Sequence, residues 1–161
     1  MADFVEEIER FLGSFSPAEV AVTRHAFRAL LDGRPATVDE LPAAVGLPEG
    51  VAVRAVGRLG ERGIIVVEPG TDRIVGIRGL SLVETDHRLT LEGRQFYAFC
   101  AVDAVGIPAA LSVDARIESR CHHCRLPLAL ELRGGAVTEA PEGMLIWAAE
   151  RDLTRSLRAH T

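Results

Sequence analysis

The chain has 161 residues, is 48% hydrophobic and 25% charged, and carries 18 basic against 23 acidic side chains for a net charge of −5. That profile belongs to a soluble globular protein, with length enough for one ordinary domain or two small ones and a buried core. The acidic balance argues against wholesale nucleic-acid affinity, and no apolar run reaches the length of a membrane span.

The first ten residues are acidic and amphipathic, the reverse of a secretory signal, so the cytoplasm is the expected compartment. There the three cysteines are expected to be reduced and open to metal or redox chemistry. Apolar positions Phe4, Val5, Ile8, Phe11 and Leu12 predict a helix over 3–15. Ser16, Pro17 and Glu19 then spell a capping-box start for a helix running to about Leu31 and ending at Asp32-Gly33. Thr37 and Glu40 open a short helix through Val45 that stops at Gly46. A third helix is expected from Pro48 to Arg62, with Val53, Val56 and Leu59 on its apolar stripe. Ile64–Val67 and Arg73–Ile77 flank a Pro-Gly turn and predict a hairpin.

Helix, short helix, helix and hairpin in this order resemble a winged helix-turn-helix domain. In such a domain Arg54, Arg58 and Arg62, spaced to share one helical face, would meet DNA phosphates or guanine edges. Glu61 among them and the acidic whole make a solvated face the favoured reading, and DNA a partner that is not favoured.

Past a boundary near residue 80, strand is expected over 79–91, with Asp86-His87-Arg88 in a turn. The run from Gln95 to Pro108 reads as an apolar helix carrying Cys100 and Asp103 on one face, three residues apart. Ser112–Ser119 and Leu126–Leu132 alternate as half-buried strands should, with a turn at Gly134-Gly135. A last strand over 143–148 and a charged helix over 150–160 complete the pattern. Met144 and Trp147 are read as core residues, and His25 as structural or exposed. The expected fold class is therefore α+β: a winged-helix-like three-helix domain over 1–80 and a small mixed-sheet domain over 81–161.

Two constellations could carry chemistry. Cys100 and Asp103 pair a soft-metal ligand with a proton donor, although on the pair alone a buried structural cysteine is the favoured reading of the thiol. Cys121-His-His-Cys124 has the spacing of half a zinc site. It admits three readings: a plain turn, a metal or redox site, or a source of extra thiols for a centre elsewhere. A zinc or other soft ion at the Cys121/Cys124 pair would have to recruit His122, His123, Cys100 or a second subunit. No phosphate-binding loop, HExxH or nucleophile elbow occurs.

The segment Phe96-Tyr-Ala-Phe-Cys-Ala-Val-Asp103, followed by Ile107-Pro-Ala109 and by Ala115-Arg-Ile-Glu-Ser-Arg-Cys121, resembles the core motif of the organomercurial (alkylmercury) lyases. The resemblance covers about the second half of the chain, with a looser match to that family's N-terminal helical domain. It implies protonolysis of carbon–mercury bonds, with Cys100 binding mercury and Asp103 relaying the proton. It implies an organomercurial small molecule as substrate, cytosolic thiols as partners that carry the metal away, and no required cofactor. It also implies a second cysteine further toward the C-terminus, and up to Thr161 no obvious counterpart occurs, so Cys121 or Cys124 is the candidate substitute. The alternatives are a metal- or thiol-responsive winged-helix regulator, or a lyase relative without activity.

Overall fold

A computed structural model describes residues 13–146, and within them an α+β architecture of four helices and one nine-stranded sheet. The predicted helix over 3–15, Trp147 and the terminal helix over 150–160 fall largely or wholly outside these residues.

Helix α1 (Pro17–Leu31) starts as its sequence dictates. The Ser16 hydroxyl accepts the Glu19 N–H at 3.3 Å, and the Glu19 carboxylate accepts the Ser16 N–H at 2.7 Å. Its buried Val22, Ala26, Ala29 and Leu30 recur at helical spacing and form one stripe. Strand β1 (Ala36–Thr37) and the short α2 (Leu41–Val45) follow, α2 ending at Gly46 with φ 67°, a left-handed backbone that glycine adopts without strain. In α3 (Glu49–Glu61) the buried stripe is Ala52, Ala55, Val56 and Leu59. Val53, expected on it, is 49% exposed, because it lies one residue off the 52–56–59 line.

β2 (Ile65–Val67) and β3 (Arg73–Ile77) form the expected hairpin. β4 (Leu80–Ser81), β5 (His87–Leu91), β6 (Arg94–Ala98), β7 (Ala115–Arg120), β8 (Pro127–Arg133) and β9 (Ala136–Glu139) complete the sheet. Its order is β1-β3-β4-β6-β5-β7-β8-β9, with β2 on β3, and every described pairing is antiparallel rather than mixed. The β3–β4 and β4–β6 pairings carry this sheet across residue 80 without a break. Leu89 stands opposite Phe96 and Ile117, and Ile117 opposite Leu130, so one buried row crosses four strands. The other face is charged: Arg88 pairs with Glu118, and Arg116 with Glu131, both at 2.8 Å.

Three local expectations are corrected. The first half of the predicted Gln95–Pro108 helix is strand β6, because Gln95 and Tyr97 alternate with the buried Phe96 and Ala98. Helix α4 (Ala101–Leu111) begins only after Cys100 and runs through Pro108. Proline here removes a single intrahelical hydrogen bond close to the helix end while its ring is buried. His87 and Arg88 lie in β5 instead of a turn. The last described strand is β9 at 136–139, and 144–146 are not strand.

Candidate functional site

The change from β6 to α4 places Cys100 at the N-cap of α4, with extended backbone (φ −149°, ψ 170°). Asp103 is the third residue of that helix. The pair therefore has the relation of a capping serine and its N3 partner, with sulfur in place of the hydroxyl. The Asp103 N–H donates to Cys100 Sγ at 3.3 Å, and the Cys100 thiol donates to Asp103 Oδ2 at 3.0 Å. Cys100 is 5% exposed and Asp103 half-buried.

Burial pushes the Cys100 thiol above its ordinary value, and the adjacent Asp103 carboxylate adds to the shift. The N–H groups of Asp103 and Val102 act the other way but do not prevail. The sulfur thus rests as a thiol whose proton is already directed at a carboxylate.

Gly79 completes the wall on the far side of Asp103. Its φ is +87°, and a Cβ built there would land on the Asp103 carboxyl group. The Gly79 carbonyl also accepts the Phe99 N–H at 2.8 Å, fixing the approach to Cys100. Nearby, the Phe99 ring lies where a Cβ on Gly76 would sit, 2.8 Å from its Cζ. His87, at the start of β5, contacts Ser119 through Nδ1. Burial lowers the His87 imidazole below its usual range, against the pull of Asp86 and Asp103. Gly79 and His87 escaped the sequence reading. Gly79 falls at the head of the strand expected over 79–91, and His87 in the turn expected at 86–88, and neither position signals a site.

The other candidates lie apart from this pair in character. Cys121 and Cys124 occupy the β7–β8 connection, Cys121 half-exposed and Cys124 exposed, neither in a disulfide. The Cys121 thiol is lowered by the Cys124 N–H, the Cys124 thiol and the His123 N–H, with Arg125 adding its charge. Among the described residues, no group of three or more His, Cys, Asp or Glu side chains could hold a metal ion. The zinc expectation therefore lacks its third and fourth ligands. Arg58 on α3 donates to Glu19 Oε1 at 3.0 Å, and Arg62, the residue capping the end of α3, donates to the Ser14 hydroxyl at 2.8 Å while stacking on the Phe15 ring. Arg54 is exposed on the same helix. Two of the three arginines are thus engaged by α1 and by the residues just before it. His25 bonds Glu40 at 2.8 Å, and among the described residues no helix is long and apolar enough to cross a membrane.

The model of the alkylmercury lyase (MerB) family matches residues 80–160. The alkylmercury lyase of Pseudomonas putida is 34% identical over 125 residues, covering 73% of this chain and 50% of that protein. The Bacillus cereus alkylmercury lyase is 31% identical over 109 residues, covering 68% and 48%. The crystal structure of the mercury-bound form of MerB2 superposes with a TM-score of 0.89 at 28% identity, over 95% of this chain and 74% of that one. The chain belongs to the alkylmercury lyase family. It spans about half the length of the curated relatives it matches.

Proposed function

We propose that this protein cleaves carbon–mercury bonds by protonolysis at Cys100 and Asp103. The observation that carries the proposal is the 3.0 Å hydrogen bond from the Cys100 thiol to Asp103 Oδ2 at the start of α4. It supports a two-stage proton path. As the sulfur bonds an incoming organomercurial cation, its proton passes to the Asp103 carboxylate. Asp103 then delivers that proton to the carbon, and the electron pair of the carbon–mercury bond becomes the new carbon–hydrogen bond. One thiol and one organomercurial give one hydrocarbon and a thiolate-bound mercury(II), with Asp103 returned to its carboxylate. No organic cofactor enters this balance.

Thiols soft enough to take mercury from Cys100 would release the product, and small cytosolic thiols fit that role. The division into a 1–80 winged-helix-like unit and an 81–161 lyase-like unit remains part of the proposal. The family match at 80–160 and the order α1, α2, α3, β2–β3 hairpin support it. The engaged Arg58 and Arg62 favour a packing role for the first unit over DNA contact.

The test is benzene release from a phenylmercury salt in excess small thiol. Turnover by the parent chain that vanishes in Cys100→Ser supports the reading. Absence of benzene from a folded parent chain that still binds the salt through Cys100 overturns it.

A further inference from the structure

The loop between β7 and β8 is built around a sulfur. The Cys121 N–H donates to the Leu126 carbonyl, and the Arg125 N–H donates to the Cys121 carbonyl, both at 2.9 Å. Arg125 takes a left-handed backbone with φ 60°, which folds the chain back on itself. The Cys121 carbonyl and the Arg125 N–H thus close a turn four residues long that contains both cysteines of the Cys-x-x-Cys spacing. The loop is held to the sheet by the Arg125 guanidinium, which grips both carboxylate oxygens of Asp86 at 2.9 and 3.1 Å. Two cysteines outside any disulfide therefore share one hydrogen-bonded turn, and Cys124 is open to solvent.

The position of the loop is as informative as its shape. β5 runs antiparallel to both β6 and β7, so β6 and β7 point the same way and leave the sheet at the same end. β6 leads directly into Cys100, and β7 leads directly into Cys121.

Zinc asks for four ligands, and among the described residues the third and fourth are not present. Mercury(II) is different. It is soft, prefers thiolate to nitrogen or oxygen, and is satisfied by two sulfurs. We propose that Cys121 and Cys124 form a two-thiolate clamp for inorganic mercury(II), separate from the Cys100–Asp103 pair. Two mercury–sulfur bonds form, two thiol protons are released, and the two ligands that mercury brought, chloride or small thiolates, leave. No electron changes hands. The clamp itself stands on the loop geometry; that its natural cargo is mercury rests on the lyase reading of the preceding section.

The sequence contains three cysteines, so a Cys100→Ser chain offers only Cys121 and Cys124 as thiols. That chain is loaded with mercury(II) chloride, challenged with excess glutathione, and examined by native mass spectrometry and thiol titration. The expected result is one mercury per monomer, both thiols blocked. Adding Cys124→Ser, an exposed change checked for folding by circular dichroism, should lower retention roughly a hundredfold, the advantage of holding the second sulfur at high effective concentration. A parallel load with zinc chloride should be lost to glutathione.

Equal retention with and without Cys124→Ser would overturn the clamp. So would mercury bridging two chains, or zinc held as firmly as mercury. No organomercurial enters this experiment, so failure of the clamp and failure of benzene release are separate results.

Discussion

Cys100 and Cys121 each sit where the chain turns at the same end of the sheet. Yet the two thiols are pushed in opposite directions. At Cys121, half-exposed, the N–H groups of Cys124 and His123, the Cys124 thiol and the charge of Arg125 lower the thiol below its ordinary value. At Cys100 the same kind of donor is outweighed by burial and by the Asp103 carboxylate, and the protonated form is favoured. The lesson is that N–H donors alone do not set a cysteine's chemistry. Solvent access and the nearest charge decide whether the site is an open ligand or a thiol holding a proton for transfer.

Removing the buried sulfur should have the largest effect. Cys100→Ser keeps a capping oxygen at the helix start, so the fold should persist while benzene release falls below detection. Gly79→Ala comes next. Its Cβ would collide with the Asp103 carboxyl at a backbone angle that side chains avoid. Shifting that carboxylate by about 1 Å should cost on the order of a hundredfold in rate. Strain and overpacking should cost about 1–3 kcal/mol, read as a lower melting temperature.

The opposed thiols can be separated by alkylation across pH. Cys121 should react in a range below an ordinary thiol, and Cys100 in a range above it. Asp103→Asn removes the carboxylate and should bring the Cys100 profile to lower pH. The raised Cys100 value also sets a sign for stability. A folded value above the unfolded one contributes stability that is fully present below the ordinary thiol range. It is lost as pH rises through the folded value, so the Cys100→Ser chain should lose less stability at alkaline pH than the parent.

Smaller effects are expected in the helical layer. Burial alone would raise Glu19, but Ser16 and Arg58 together hold it below the usual carboxylate range. Its contribution is present above that range and fades as acid protonates it. Arg58 is half exposed, so Arg58→Ala should cost only about 1 kcal/mol, measured by denaturant melts, and the loss should vanish in acid.

Much of this was legible in the chain. The α1 start needed only Ser16, Pro17 and Glu19, and the β2–β3 hairpin only its Pro-Gly turn. Cys100 and Asp103 were legible as a pair because a spacing of three brings N-cap and N3 side chains together as surely as two positions within a helix. The strand at 94–98 was not legible, since Phe96, Tyr97, Ala98 and Phe99 are apolar enough to read as either element. Strand β9 was hidden because Ala136–Glu139 is wholly exposed and pairs only along one edge. Gly79 was invisible for a different reason: its partner Asp103 lies 24 positions along the chain, and only the fold brings them together.

The central claim is that Asp103 passes the proton of Cys100 to carbon. Its most direct test is a single turnover of a phenylmercury salt in deuterium oxide, with the benzene analysed by mass spectrometry, for the parent chain and for Asp103→Asn. The account predicts singly deuterated benzene from the parent and a release rate lower by roughly a hundredfold or more in the variant. Equal release from both chains would contradict it.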